Sequence, residues 1–117
     1  MRDALIGTGF PFRELAGMDE YIAMFREVTA RTAGVRRAGA AALDLAYVAA
    51  GRLDGFWEIG LSPWDMAAGA LLIQEAGGLV GDLQGEPDYL ASGRIVAGNP
   101  KIFVQLLQTL APQARRT

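Results

Sequence analysis

The sequence predicts an α/β fold: a layered sheet of about five strands with flanking helices. Three observations predict it. Short strand-like runs alternate with longer helical stripes along the chain. Two helix starts are written as a capping residue followed by proline, Ser62-Pro63 and Asn99-Pro100. Proline suits the first helical turn, where its missing N–H costs nothing. Glycines close the two middle helices, at Gly51 and at Gly77-Gly78.

Taken in order, Ala4 to Phe10 reads as a strand stopped by Pro11. Gly17 to Arg31 reads as an amphipathic helix whose stripe is Met18, Ile22, Phe25 and Val28, with Asp19, Glu20, Arg26 and Glu27 on a solvated face. Gly34 to Arg37 is a short strand or extended link. Ala40 to Ala50 is a helix so apolar that it should be buried on several sides, with Asp44 in its middle needing a polar partner or a way to the surface. Gly55 to Gly60 is a strand. Pro63 to Ala76 is a helix whose buried face is drawn by Ala67, Ala68, Leu71, Leu72 and Ala76. Leu79 to Leu83 and Ile95 to Ala97 are strands separated by a turn at Gln84 to Pro87. Ile102, Phe103, Leu106, Leu107 and Leu110 line a last amphipathic helix, which Pro112 ends. Residues 1–112 are expected to form one α/β domain and 113–117 a frayed tail.

Composition bounds the function. Half of the 117 residues are hydrophobic (51%) and 21% are charged, as in a globular chain. Eleven basic and thirteen acidic residues leave a net charge of −2, which argues against a nucleic-acid or anionic-membrane surface as the main partner. There is no cysteine, so disulfides and thiolate metal sites are excluded. With no histidine, His-ligated zinc and His-based acid–base chemistry within this chain are excluded too. No apolar run reaches membrane-spanning length and the first residues lack a signal-peptide pattern. The expected location is cytoplasmic.

Chemistry concentrates around residues 58 to 69. Glu58 falls near the C-terminal end of a strand, the edge where α/β sheets bind ligands, and Asp65 falls in the first turn of the next helix. Two carboxylates seven residues apart can therefore face one crevice. The plain reading of Ser62-x-x-Asp65 is a capping box with Asp in place of Glu or Gln. A ligand role for Asp65 is the alternative. Glu58 is harder to read as structural, because its strand is otherwise apolar and buried carboxylates are rare unless paired. Gly39 before Ala40 and Ala41 opens the second helix with bare backbone N–H groups, which either receive ligand oxygens or mark close packing of small residues. Gly7-x-Gly9 runs into Phe10-Pro11 rather than a helix start, so a dinucleotide fingerprint is disfavoured.

Trp64-Asp65-Met66-Ala67-Ala68-Gly69, followed by Gln74-Glu75-Ala76-Gly77-Gly78, resembles the C-terminal signature of the inositol monophosphatase family of Mg-dependent phosphatases. Leu5 to Phe12, Arg36 to Ala46 and Ile95 to Pro100 resemble its bacterial branch in the same order. The resemblance covers nearly the whole chain. It implies the C-terminal half of an α/β/α/β/α sugar-phosphatase fold, hydrolysis of an inositol phosphate or another polyol phosphate, and a homodimer when complete. It further implies Asp65 as a ligand of a catalytic Mg²⁺, Glu58 as an acceptor of ring hydroxyls, and Gly39, Ala40 and Ala41 as backbone contacts. Ala40 stands where relatives often carry Thr or Ser, so hydroxyl help is lost there. Arg36 matches a basic position at the rim, able to touch substrate or a partner subunit.

The family also has an N-terminal Glu-Glu pair and an Asp-Pro-Leu/Ile-Asp-Gly-Thr motif, which supply most metal ligands and the groups that activate water. Nothing in this chain matches them. The expectation is therefore an enzyme part, inactive alone, carrying substrate-recognition groups and one metal ligand. The competing expectation is a non-catalytic binding or assembly module that retains the fold.

Overall fold

The computed structural model describes residues 1–9, 16–37 and 39–114. Five strands, β1 (Leu5–Thr8), β2 (Gly34–Arg36), β3 (Gly55–Glu58), β4 (Leu79–Gly81) and β5 (Ile95–Gly98), form one sheet in the order β2-β1-β3-β5-β4. β1 pairs parallel with β2 and β3, while β5 runs antiparallel to both β3 and β4. The sheet is thus mixed. The expected Phe10 end of the first strand and its Pro11 stop lie outside the described residues, as do residues 115–117 of the expected tail.

Helices α1 (Ala16–Arg31) and α5 (Pro100–Leu110) cover one face of the sheet, and α2 (Ala41–Ala49) and α3 (Pro63–Glu75) cover the other. Strand alternation divides the core between the faces. Ile6, Trp57 and Val96 join Tyr21, Met24, Val28, Phe103 and Leu106 on one side. Phe56, Ile95 and Ala97 join Leu45, Val48, Met66 and Ile73 on the other. α2 and α3 pack closely because Gly69 has no side chain: a Cβ there would lie 2.5 Å from Leu45 Cβ. A one-turn helix, α4 (Tyr89–Ser92), precedes β5 and was not legible as a helix. A 3₁₀ turn at Ala111–Gln113 carries the chain past α5, and Ala114 packs against the core.

α5 buries Ile102, Phe103, Leu106 and Leu110 as expected, whereas α1, α2 and α3 depart from their expected faces. α1 buries Glu20, Tyr21, Met24 and Val28, while Ile22 and Phe25 are exposed. Glu20 is not on a solvated face: its carboxylate is bound by both terminal nitrogens of Arg94, the residue before β5. α3 buries Met66, Gly69, Ala70 and Ile73, and Ala67, Ala68, Leu71, Leu72 and Ala76 face outward. α2 buries only Asp44, Leu45 and Val48, and Leu43 stays exposed. Where a helix is apolar all round, periodicity cannot fix its phase. The face that packs on the sheet is then chosen by shape, here by Gly69 against Leu45.

Candidate functional site

The chain reverses its direction of travel across the sheet at β1. From β1 it crosses to β2 on one side, and after α2 it returns to β3 on the other. Because β1, β2 and β3 are parallel, their C-terminal ends share one edge, and a crevice opens there at the switch point. A cleft of about 330 Å³ occupies that place. It is lined by Gly9 after β1, Arg37 after β2, Gly39 to Ala42 at the start of α2, Glu58 at the end of β3, Leu61, and Asp65 in α3.

Each wall has a local cause. Gly39 has φ +85°, a left-handed conformation that favours glycine, and it turns the chain from β2 into α2. Ala40 is the N-cap but has no side chain able to cap, and the first helical bond is from Asp44 N to Ala40 O at 3.0 Å. The N–H groups of Ala41, Ala42 and Leu43 precede that bond, so they have no helical acceptor and sit at the positive end of the helix dipole. Asp65 is half-buried. Its Oδ2 accepts the N–H of Ser62 at 3.1 Å, and Asp65 N donates to Ser62 O at 3.0 Å. Its Oδ1 has no hydrogen-bond partner among the described residues. The capping and ligand roles of Asp65 are therefore compatible: one oxygen holds the helix start and the other is available.

Glu58 carries the strongest electrostatic signal. Its carboxyl is raised to about 7, first by burial, then by the negative charges of Asp44 and Asp65, against the opposing pull of Arg37. Among the described residues it makes no hydrogen bond. Asp44, only 2% exposed, is also raised by burial, with the Arg36 charge opposing. It lies inside rather than on the helix surface, and the charge that acts on it is that of Arg36.

The structure brings Gly39, Ala40, Ala41, Glu58 and Asp65 around one cleft. Arg36 does not line it; Arg37 does. Arg36 is the last residue of β2, and its charge acts on Asp44, whereas Arg37, one residue further, acts on Glu58. Gly9 and Leu61 were not singled out from sequence. Gly9 was weighed from sequence only within Gly7-x-Gly9, as a dinucleotide fingerprint, and Leu61 had no signal.

The described residues contain no group of three or more acidic side chains placed to hold a metal ion. No helix among them is long and apolar enough to cross a membrane.

Known proteins share this fold. The chain is 62% identical over 114 residues to the Nus factor SuhB of Pseudomonas aeruginosa, covering 96% of this chain and 42% of that protein. It is 54% identical over 108 residues to an inositol-1-monophosphatase of Mesorhizobium japonicum, covering 92% and 41%. The crystal structure of the extragenic suppressor protein suhB from Bartonella henselae superposes with a TM-score of 0.89 at 50% identity, over 93% of this chain and 42% of that one. The chain thus spans about two-fifths of the length of the curated relatives it matches. A sequence model of the inositol monophosphatase family matches residues 1–116, and the chain belongs to that family.

Proposed function

We propose that this chain supplies the substrate-recognition half of a magnesium-dependent phosphatase acting on an inositol phosphate or a similar cyclic polyol phosphate. The observation that carries the reading is the convergence of Glu58, Asp65 and the α2 N-terminus on one cleft at the sheet's switch point. Phosphate or hydroxyl oxygens are suited to the unpaired N–H groups at the start of α2. Glu58, poised near neutrality, can accept a hydrogen bond from a ring hydroxyl or donate one to it. Arg37 offsets the local negative charge.

The residues present fit a divalent cation only in part. A carboxylate oxygen is the donor a hard cation takes, and Asp65 Oδ1 is available in a fixed direction. One carboxylate does not make a site, so the other ligands would come from the acidic motifs that the family resemblance implies beyond this span, which covers 41% of the Mesorhizobium relative. When bound, such a cation supplies Lewis-acid polarisation of the phosphate and of water. Asp65 would then hold one coordination position while its Oδ2 keeps the helix start in place. The expected setting is a cytoplasmic homodimer.

The test is substrate discrimination in the complete protein. Glu58→Gln should weaken use of inositol 1-phosphate by about 1–3 kcal/mol, the worth of a hydrogen bond to a charged group. A flexible phosphate ester without ring hydroxyls should notice less. Equal losses on both would make Glu58 structural and remove the polyol assignment.

A second reading is favoured by the name of a 62%-identical relative, a Nus factor. On it the fold is kept as an assembly module and the chemistry is dispensable. Asp65→Asn in the complete protein separates the two: loss of phosphatase turnover with growth and assembly intact supports the module.

A further inference from the structure

We infer that Tyr21 of α1 is a positioning residue for Glu58, acting through the ladder pair that ends the β1–β3 contact. This deepens the reading of the cleft as a hydroxyl-binding site and rests on it.

Thr8 and Trp57 are directly opposed in the parallel pairing of β1 and β3, and they are the last such pair before the cleft. The next residues along the two strands are Gly9 and Glu58, both in the cleft wall. Tyr21 touches both members of the preceding pair. Its hydroxyl is 3.1 Å from Thr8 Oγ1, with both groups fully buried. Its ring stacks on Trp57, with centroids 5.8 Å apart and planes at 21°. One side chain from a different layer thus clips the two strands together at this pair.

The clip matters because the gap beyond it is tight. Glu58 lies directly against the Gly9 backbone: a Cβ on Gly9 would come within 2.7 Å of Glu58 Cδ. Glu58 has no hydrogen bond of its own among the described residues to fix its rotamer. Its position is set by packing, and the packing is set by how closely β1 and β3 approach. α1 is itself anchored one residue earlier, where Glu20 takes the bidentate hold of Arg94 beside β5. The pair ties α1 to the residue that precedes β5. The chain of contact therefore runs from Arg94 through Glu20 and Tyr21 to Thr8 and Trp57, and so to Glu58.

Tyr21→Phe keeps the stack and deletes the hydroxyl; Thr8→Val deletes the other half of the same bond at nearly constant volume. In the complete protein, each is expected to raise KM for inositol 1-phosphate about three- to tenfold, a part of what the Glu58 hydrogen bond to substrate is worth, with the change falling on KM more than on kcat. In a Glu58→Gln background neither should raise KM further. The titration of Glu58, followed by its ¹³C carboxyl signal and identified by its loss in Glu58→Gln, should shift its midpoint in Tyr21→Phe. That arm needs no turnover, so it remains decisive if the phosphatase reading fails. An unmoved titration midpoint, or equal KM effects with and without the Glu58 carboxylate, would overturn the inference and leave Tyr21 as a core residue only. Should Tyr21→Phe not fold, Thr8→Val carries the same comparison.

Discussion

Gly9 and Glu58 face each other across the ends of β1 and β3 so closely that the glutamate carboxylate occupies the space a Gly9 side chain would need. The absent Cβ lets a carboxylate lie against bare backbone at the cleft floor. Gly9→Ala should therefore displace Glu58. Its cost should appear as weakened binding of a cyclic polyol phosphate, about as large as that of Glu58→Gln, with little added effect when both are combined. Additive losses would show that Gly9 acts on something else.

The raised carboxyl of Glu58 predicts a pH dependence of stability. Its value moves from 4.5 to about 7, so the folded chain binds this proton more tightly than the unfolded chain. The ionised form therefore opposes folding, increasingly from about pH 4.5 to about pH 7 and fully above that. A tenfold change in proton affinity corresponds to about 1.4 kcal/mol, and partial exposure with screening leaves a cost of roughly 1–2 kcal/mol. Glu58→Gln should melt close to wild type near pH 4.5 and higher than wild type at pH 8. A variant that melts lower at pH 8 would mean the charged form is held by a favourable partner.

Asp65→Asn should cost catalysis far more than stability. Asparagine retains an oxygen for the Ser62 N–H but carries no charge for a cation. Turnover of the complete protein should fall by several orders of magnitude, on the order of 10³ or more for loss of a metal-binding charge, while the melting temperature moves by a few degrees. Retained activity with a lowered melting temperature would assign Asp65 to capping alone.

The 117-residue chain by itself should not hydrolyse inositol 1-phosphate with Mg²⁺, since the described residues bring together no group of three or more acidic side chains able to hold the ion. It should also self-associate. Trp64 is 78% exposed, Leu71 58%, Leu72 51% and Leu43 46%, all on the α2–α3 layer. Each patch of roughly 100 Å² of apolar surface left in water forfeits about 2.5 kcal/mol, a large fraction of an ordinary domain's stability. Sedimentation decides it: a monodisperse monomer with a sharp melt would show that the α2–α3 face needs no cover.

Local chemistry alone determined a good deal of this protein. Ser62-Pro63 and Asn99-Pro100 mark the starts of α3 and α5 because capping and a fixed φ are properties of a few adjacent residues. Glu58 and Asp65 were legible as neighbours because a strand end and the next helix start meet over a short connection. The matching motifs carried the family. Tertiary structure decided what depends on residues far apart. The phase of α3 was set by Gly69 against Leu45, since a helix apolar on every side has no stripe to read. Glu20 was drawn inward by Arg94, 74 residues away, a partner no local pattern announces. The choice of Arg37 over Arg36 for the cleft depended on where β2 ends, because neighbouring residues at a strand's end leave it in different directions. The strongest case is Gly9, whose value to the site is an empty space. Space between two strands is fixed by their pairing and by Tyr21 packed behind it, not by the residues on either side of the glycine in the chain.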